Sequence, residues 1–201
     1  MNQPVLEFKN VTWTYEDMEH PALRNVNLTV NRGELVGIVG VNDAGKSTLC
    51  RLCNGLIPNS FIGQITGDVL VNGQSIRDME TAALARAVGS VFSDPEAQMS
   101  QVTVLDELYF GPANLNRPKD EILAAAQSVM ELLDLTKFRD RSPFQLSGGE
   151  QQRVAIASVL TMQPEILALD EPTSNLDPIS TERIFQVIAQ LNREMGTTVL
   201  L

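Results

Sequence analysis

Apolar and polar positions follow two different grammars along this chain. Val5 to Phe8 and Val11 to Tyr15 alternate apolar with polar residues, as do Val26, Leu28 and Val30. That period predicts half-exposed antiparallel strands. Asn31-Arg32-Gly33 turns the chain into Leu35 to Val39, a continuous apolar run, and Leu49-Cys50-Arg51-Leu52 then reads as helix. Gly63 to Ile76 carries Gly67, Val69 and Val71 ahead of Asn72-Gly73, a hairpin signal. Thr81 to Ala87 predicts a helix and Val88 to Phe92 a strand. From about Leu105 to Phe144 the spacing is helical, with Pro112, Pro118 and Pro143 as breaks and Ile122, Val129, Leu132 and Leu133 as an apolar stripe. This stretch predicts a separate small lobe. Strand-and-helix grammar then returns. Leu146 to Glu150 leads into a helix bearing Val154, Ile156, Ala157 and Leu160, which Gln163-Pro164 ends. Ile166 to Leu169 is short and wholly apolar, as strands buried on both faces are. A helix from about Pro178 to Glu194 follows, with Asp177 as N-cap and proline in its first turn. Thr197 to Leu201 opens another buried strand. The class is α/β.

Composition narrows this only a little. At 201 residues, with 43% hydrophobic and 20% charged residues, the chain reads as one domain with an inserted lobe. A formal charge of -10 argues against a nucleic-acid partner. Met1-Asn2-Gln3-Pro4 shows no basic stretch followed by an apolar core, and no apolar run is long enough to span a bilayer. The expectation is a cytoplasmic chain that meets a membrane only through a partner. Cys50 and Cys53 form a lone C-x-x-C without a second pair or histidines nearby, so zinc is a poor reading and buried, reduced core thiols the better one. His20, the single histidine, precedes Pro21 and is expected to face solvent.

Chemistry concentrates first at Gly40-Val41-Asn42-Asp43-Ala44-Gly45-Lys46-Ser47-Thr48, the spacing of a phosphate-binding P-loop between strand and helix. A triphosphate needs converging backbone N–H donors, which a loop wrapped into a helix N-terminus supplies. Lys46 adds a charge for the β/γ-phosphates, and the Ser47 hydroxyl suits Mg²⁺. Asp170 and Glu171 end the apolar Ile166–Leu169 strand, where open α/β sheets place ligands. Asp170 is a candidate for holding Mg²⁺, directly or through water, and Glu171 for polarising an attacking water as general base. Tyr15 ends a strand ahead of the P-loop, where an aromatic either stacks on a base or fills the core; the residues alone leave both open. Leu146-Ser147-Gly148-Gly149-Glu150 is a second anion-binding device at a helix N-terminus. It is surplus for one triphosphate in one subunit and useful if it reads a nucleotide held by another.

These motifs together resemble the nucleotide-binding domain of ABC-type ATPases over essentially the whole chain. LSGGEQQRVAIA from Leu146 to Ala157 is similar to that family's signature, beside GVNDAGKST and ILALDEP. The resemblance implies a P-loop NTPase core with a mixed central sheet, an N-terminal antiparallel β-subdomain and an inserted α-helical lobe. The core would be 1–92 with 145–201, and the lobe about 93–144. It implies ATP and Mg²⁺ as ligands and a homo- or hetero-dimer, head to tail, with a second ABC ATPase domain. Tyr15 then resembles the aromatic that stacks on adenine, and Ser174-Asn175-Leu176-Asp177 the D-loop that crosses the dimer interface. Ser147 and Gly149, with Gly148 and Glu150 around them, would contact the γ-phosphate of the partner's ATP.

VFSDPEAQ from Val91 to Gln98, Thr103-Val104 and Phe110-Gly111-Pro112-Ala113-Asn114-Leu115 resemble energy-coupling factor importers of vitamins and transition-metal ions. In these a transmembrane scaffold subunit contacts the helical lobe at the cytoplasmic face of the cell membrane. Three departures stand out. Ser93 occupies the place of the glutamine that reaches Mg²⁺ and the attacking water, leaving a shorter oxygen ligand and a site open to a degenerate, purely structural role. Asp43 replaces a common glycine, where its tolerance of positive φ helps and its carboxylate should point outward. The sequence stops before the family's switch histidine, as in an excised fragment or the first part of a longer, possibly tandem polypeptide, and residues 1–201 alone are expected to hydrolyse ATP weakly or not at all. A soluble ABC-type ATPase outside transport is the remaining alternative.

Overall fold

Residues 3–174 and 176–201 are described by the computed structural model; Met1 and Asn2, on which the N-terminal reading partly rests, and Asn175 of the expected D-loop lie outside them. Two compact units emerge.

The first unit runs to Ser90 and takes in Glu165–Asp170 and Gly196–Leu201. Its first sheet, in the order β2-β1-β4-β5, comprises β1 (Pro4–Tyr15), β2 (Leu23–Asn31), β4 (Gly63–Val71) and β5 (Gln74–Ser75), all antiparallel. The two alternating runs expected at its start are one strand. Asn10 adopts φ 52, and the register against β2 shifts between Phe8 and Val11, so the bulge returns Val11 and Trp13 to the buried face of Phe8. The Asn72-Gly73 turn has φ 50 and 80, the two positive values that a type I′ hairpin demands.

The second sheet has the order β3-β8-β7-β6, from β3 (Leu35–Val36), β6 (Val88–Val91), β7 (Ile166–Leu169) and β8 (Thr198–Leu200). β3 and β7 both run parallel to β8. All four residues of β7 are buried, as its unbroken apolar run predicts. The run at 35–39 behaves differently: β3 ends at Val36, one further bond joins the Ile38 N–H to the Leu201 carbonyl, and Val39 is 94% exposed. The chain has left the sheet to form the loop beyond. Helices α1 (Lys46–Cys53), α2 (Leu56–Asn59) and α3 (Thr81–Ala87) complete the unit. Leu49, Leu52, Cys53, Ile57 and Leu84 join Phe8, Trp13 and Val69 in one core, where each large side chain contributes roughly 1.5–3 kcal/mol.

The second unit comprises Val91–Pro164 and Glu171–Met195. It holds α4 (Pro95–Gln98), α5 (Val104–Asn114), α6 (Lys119–Leu132), α7 (Gly148–Leu160) and α8 (Pro178–Met195), with short 3₁₀ turns at Thr136–Phe138 and Pro143–Gln145. The expected lobe, 93–144, lies inside it together with α7 and α8. Pro118 and Pro143 punctuate helices as anticipated, but Pro112 sits within α5. Proline offers no N–H to the Leu108 carbonyl. The wholly buried Thr161 at the end of α7 donates its hydroxyl there instead, at 3.0 Å, so α5 continues to Asn114. On α6 the buried stripe is Ile122, Ala126, Val129 and Met130, and Leu133 just beyond the helix continues it, while Leu132 lies at its margin. Among the described residues no helix is long and apolar enough to cross a membrane.

Candidate nucleotide-binding site

The glycine-bounded loop between β3 and α1 takes its shape from two residues in the left-handed region. Gly45 has φ 92, and a Cβ there would lie 2.6 Å from the Ala22 carbonyl oxygen and 2.8 Å from Leu23 Cδ2, so a side chain is excluded by both strain and space. Asp43 has φ 62 and is exposed, the backbone tolerance expected of it. Lys46 Nζ donates to the Gly40 and Val41 carbonyls, at 3.2 and 3.1 Å, drawing the loop that holds the exposed Asn42 and Ala44 over its own lysine. No side chain caps α1, whose N-cap is Gly45; its first N–H groups and the dipole's positive end suit an anion.

Asp170 follows β7 and is buried, and Ser47 Oγ donates to its Oδ1 at 2.9 Å. Residues far apart in sequence thus meet as a hydroxyl and a carboxylate, the hard oxygen donors that Mg²⁺ prefers. Among the described residues no group of three or more His, Cys, Asp or Glu could hold a metal ion. A cation bound here would have two protein ligands and would need other oxygens, as Mg²⁺ does where it is held by one or two protein groups.

Tyr15 belongs to the same neighbourhood. Its hydroxyl lies 3.1 Å from Thr48 Oγ1 and accepts from Arg51 Nη1 at 3.2 Å. Its ring meets Trp13 and Phe61 edge to face, at 5.5 and 6.1 Å, and the Arg51 guanidinium stacks over Phe61 at 4.9 Å. Arg51 and Phe61 escaped the sequence reading, since one looks like an ordinary surface arginine and the other like a lone loop aromatic. Cys50 and Cys53 are free and buried, as expected. Burial, with the Asp170 charge adding to it, pushes the Cys50 thiol up to about 12.

In the second unit, the signature-like stretch opens α7 with a capping box. Glu150 Oε2 accepts from Ser147 N and Ser147 Oγ, each at 2.8 Å. The Ser147 N–H holds the Glu150 carboxyl below its ordinary value. Around Gly148 there is open space, whereas a Cβ on Gly149 would lie 3.3 Å from Ser180 Oγ. Ser180 is itself tied to Asp177, which caps α8 by accepting from the Ile179 and Ser180 N–H groups at 2.9 and 3.1 Å. The structure therefore brings Gly149 and the Asp177 cap together. Ser174 donates from N and Oγ to the carbonyl of Glu171, which has φ 49 and is exposed. Ser93 is half-buried in the turn before α4.

The family model of the ABC transporter matches residues 23–174. The chain belongs to that family. A putative ABC transporter ATP-binding protein of Pyrococcus abyssi is 42% identical over 197 residues, covering 98% of this chain and 70% of that protein. One from Methanosarcina mazei is 41% identical, and there the match covers 100% of this chain but 35% of the relative. Among solved structures, CbiO1 of Clostridium perfringens, part of the ABC transporter complex CbiONQ, superposes with a TM-score of 0.84 at 32% identity, covering 98% of this chain and 77% of that one. The ATP-binding cassette MJ0796, dimeric and bound to ADP and Pi, gives 0.84 at 33%, covering 97% and 86%. The antiparallel sheet, the P-loop sheet and the helical segment are thus those of an ABC ATP-binding domain, an α/β P-loop NTPase fold.

Proposed function

We propose that this ABC domain is the ATP-hydrolysing motor of an energy-coupling factor type importer for a vitamin or transition-metal ion. The 2.9 Å contact between Ser47 and Asp170 supports the ATPase part, because a hydroxyl and a carboxylate suited to a cation meet at the residue that follows the P-loop lysine. Ser47 and Asp170 hold Mg²⁺, which when bound neutralises charge on the β- and γ-phosphate oxygens. Lys46 exchanges the neutral Gly40 and Val41 carbonyls for those phosphates, a gain because the acceptor is then charged as well as the donor. Gly40 to Thr48 cradle the phosphates through backbone N–H groups, and Tyr15 supports the adenine. Glu171 takes the proton of the attacking water and Ser93 lends an oxygen to the cation. In a head-to-tail dimer Ser147 turns from Glu150 and, with Gly149, meets the γ-phosphate of the ATP held by the second domain, while Ser174 to Asp177 line the interface.

The importer subtype rests on the VFSDPEAQ stretch and on the likeness to CbiO1. Exposed Val102 and Phe110, at 78% and 47%, support a transmembrane scaffold subunit seated on the helical lobe at the cytoplasmic face of the membrane. Calorimetric titration tests the nucleotide site: Lys46→Ala should abolish Mg-ATP binding and leave the fold intact, and unchanged affinity would refute the reading. A second reading, a degenerate site that holds ATP for structural reasons, is favoured by Ser93 alone. It requires Ser93→Gln to raise hydrolysis in the complete assembly.

A further inference from the structure

The Ser93 turn cannot hold itself in place. It leads into α4, a single turn of four residues from Pro95 to Gln98, and an isolated helical turn does not repay its nucleation cost. Side chains fix it. Asp94 Oδ1 accepts from the Glu96 N–H at 3.0 Å, and Gln98 Oε1 reaches back to the Phe92 N–H at 3.1 Å. Past the helix, the buried Glu107 of α5 accepts from the Ser100 and Gln101 N–H groups at 2.9 and 2.8 Å. A further bond leaves this segment for another helix. Gln151 Nε2, on a side chain 4% exposed, donates to Glu96 Oε1 at 3.1 Å and lies 3.4 Å from the Pro143 carbonyl.

Gln151 directly follows Glu150, the residue that closes the capping box on Ser147. The bond therefore runs from the turn bearing Ser93 to the first turn of the helix bearing Ser147 and Gly149. We propose that Glu96 and Gln151 form a positioning strut between the Ser93 turn and the signature helix, and that the strut sets ATP turnover rather than ATP affinity. Both ends lie in the second unit, whereas Lys46, Ser47 and Asp170 lie in the first, so losing the strut leaves the P-loop contacts whole. What it costs is the registration of Ser93, which serves this chain's own ATP, with Ser147 and Gly149, which serve the ATP of the second domain, and misplacement of positioned groups shows in kcat. Gln151 is buried with its amide between two acceptors, the Glu96 carboxylate and the Pro143 carbonyl.

This inference rests on the ATPase reading above, and one set of measurements separates the two. The full-length protein and its Glu96→Ala, Gln151→Leu, Glu96→Gln and Glu96→Ala/Gln151→Leu variants are compared for phosphate release at saturating Mg-ATP, ATP affinity and thermal midpoint. The expected result is a fall in kcat of about five- to tenfold in either single variant, with ATP affinity within about twofold of wild type. The double variant should be no slower than the slower single one. Glu96→Gln keeps an acceptor oxygen and should turn over within about twofold of wild type. Should Gln151→Leu lower the thermal midpoint, the Glu96 pair, altered at an exposed residue, still decides. A Glu96→Ala enzyme as fast as wild type, a Glu96→Gln enzyme as slow as Glu96→Ala, or multiplied losses in the double variant would overturn the strut. A wild-type protein that neither binds nor hydrolyses ATP would instead overturn the function on which it rests.

Discussion

Replacing Thr161 by valine removes one hydroxyl from a position wholly closed to solvent, with little change of shape. The hydroxyl lies 3.0 Å from the Leu108 carbonyl and 2.7 Å from the Ser158 carbonyl, sharing its one proton between them. Ser158 belongs to the same helix end, so its share is a local matter. Leu108 is different: the residue four positions on is Pro112, which has no N–H to give, and α5 depends on Thr161 to cover that oxygen. A buried carbonyl left without a donor costs about 1–3 kcal/mol, so Thr161→Val should destabilise the protein by about 2 kcal/mol and lower its melting temperature by roughly 4–8 °C. Pro112→Ala restores a backbone N–H four residues from Leu108 and should recover about half of that loss. Because the proline also restricts the unfolded chain, the informative quantity is the coupling in a double-mutant cycle, measured by urea denaturation. A coupling of about 1 kcal/mol is expected, and a value below about 0.3 kcal/mol would show that Leu108 has another donor.

In a longer form carrying the switch histidine, Glu171→Gln should stop turnover yet retain ATP, since the amide keeps the shape but takes no proton; size-exclusion chromatography with ATP should show more dimer than wild type, and wild-type turnover would exclude Glu171 as the base. The Glu150 carboxyl is held below its ordinary value of 4.5 by the Ser147 N–H. Its contribution is therefore full above that value and is lost as pH falls through the lower folded one. Urea midpoints should decline in wild type as pH drops below about 4.5, and more gently in Glu150→Gln; parallel profiles would refute the assignment.

Much of this was legible in the sequence because local rules decided it. Asn72-Gly73 marked a hairpin and adopted its two positive φ values, and the P-loop spacing gave a helix starting at Lys46. Asp177 capped α8 as a short acceptor before Pro178 should. What escaped was tertiary. Pro112 reads as a break until Thr161, on another helix, supplies the missing bond. Val39 reads as core strand, but the chain leaves the sheet before reaching it. Gln151 is one glutamine in a glutamine pair, and only burial and the contact with Glu96 distinguish it. Arg51 and Phe61 likewise gain meaning only once both are seen to meet Tyr15.

The order of strands also sets a timetable. β3 hydrogen-bonds to β8, Leu35 opposite Val199 and Val36 opposite Leu200, and β8 is made about 160 residues later. At cytoplasmic rates of 5–20 residues per second, a ribosome needs roughly 8–30 s to travel between them. The antiparallel sheet, whose last strand ends at Ser75, closes early in that interval. The P-loop strand waits throughout with its edge unpaired, and Asp170 has no ordered β7–β8 pair to hold it near Ser47 until the interval ends. ATP therefore cannot draw on the Ser47–Asp170 pair to help this chain fold until β8 has been made. Through that pair, its ligand stabilises it only after the last of these strands has emerged.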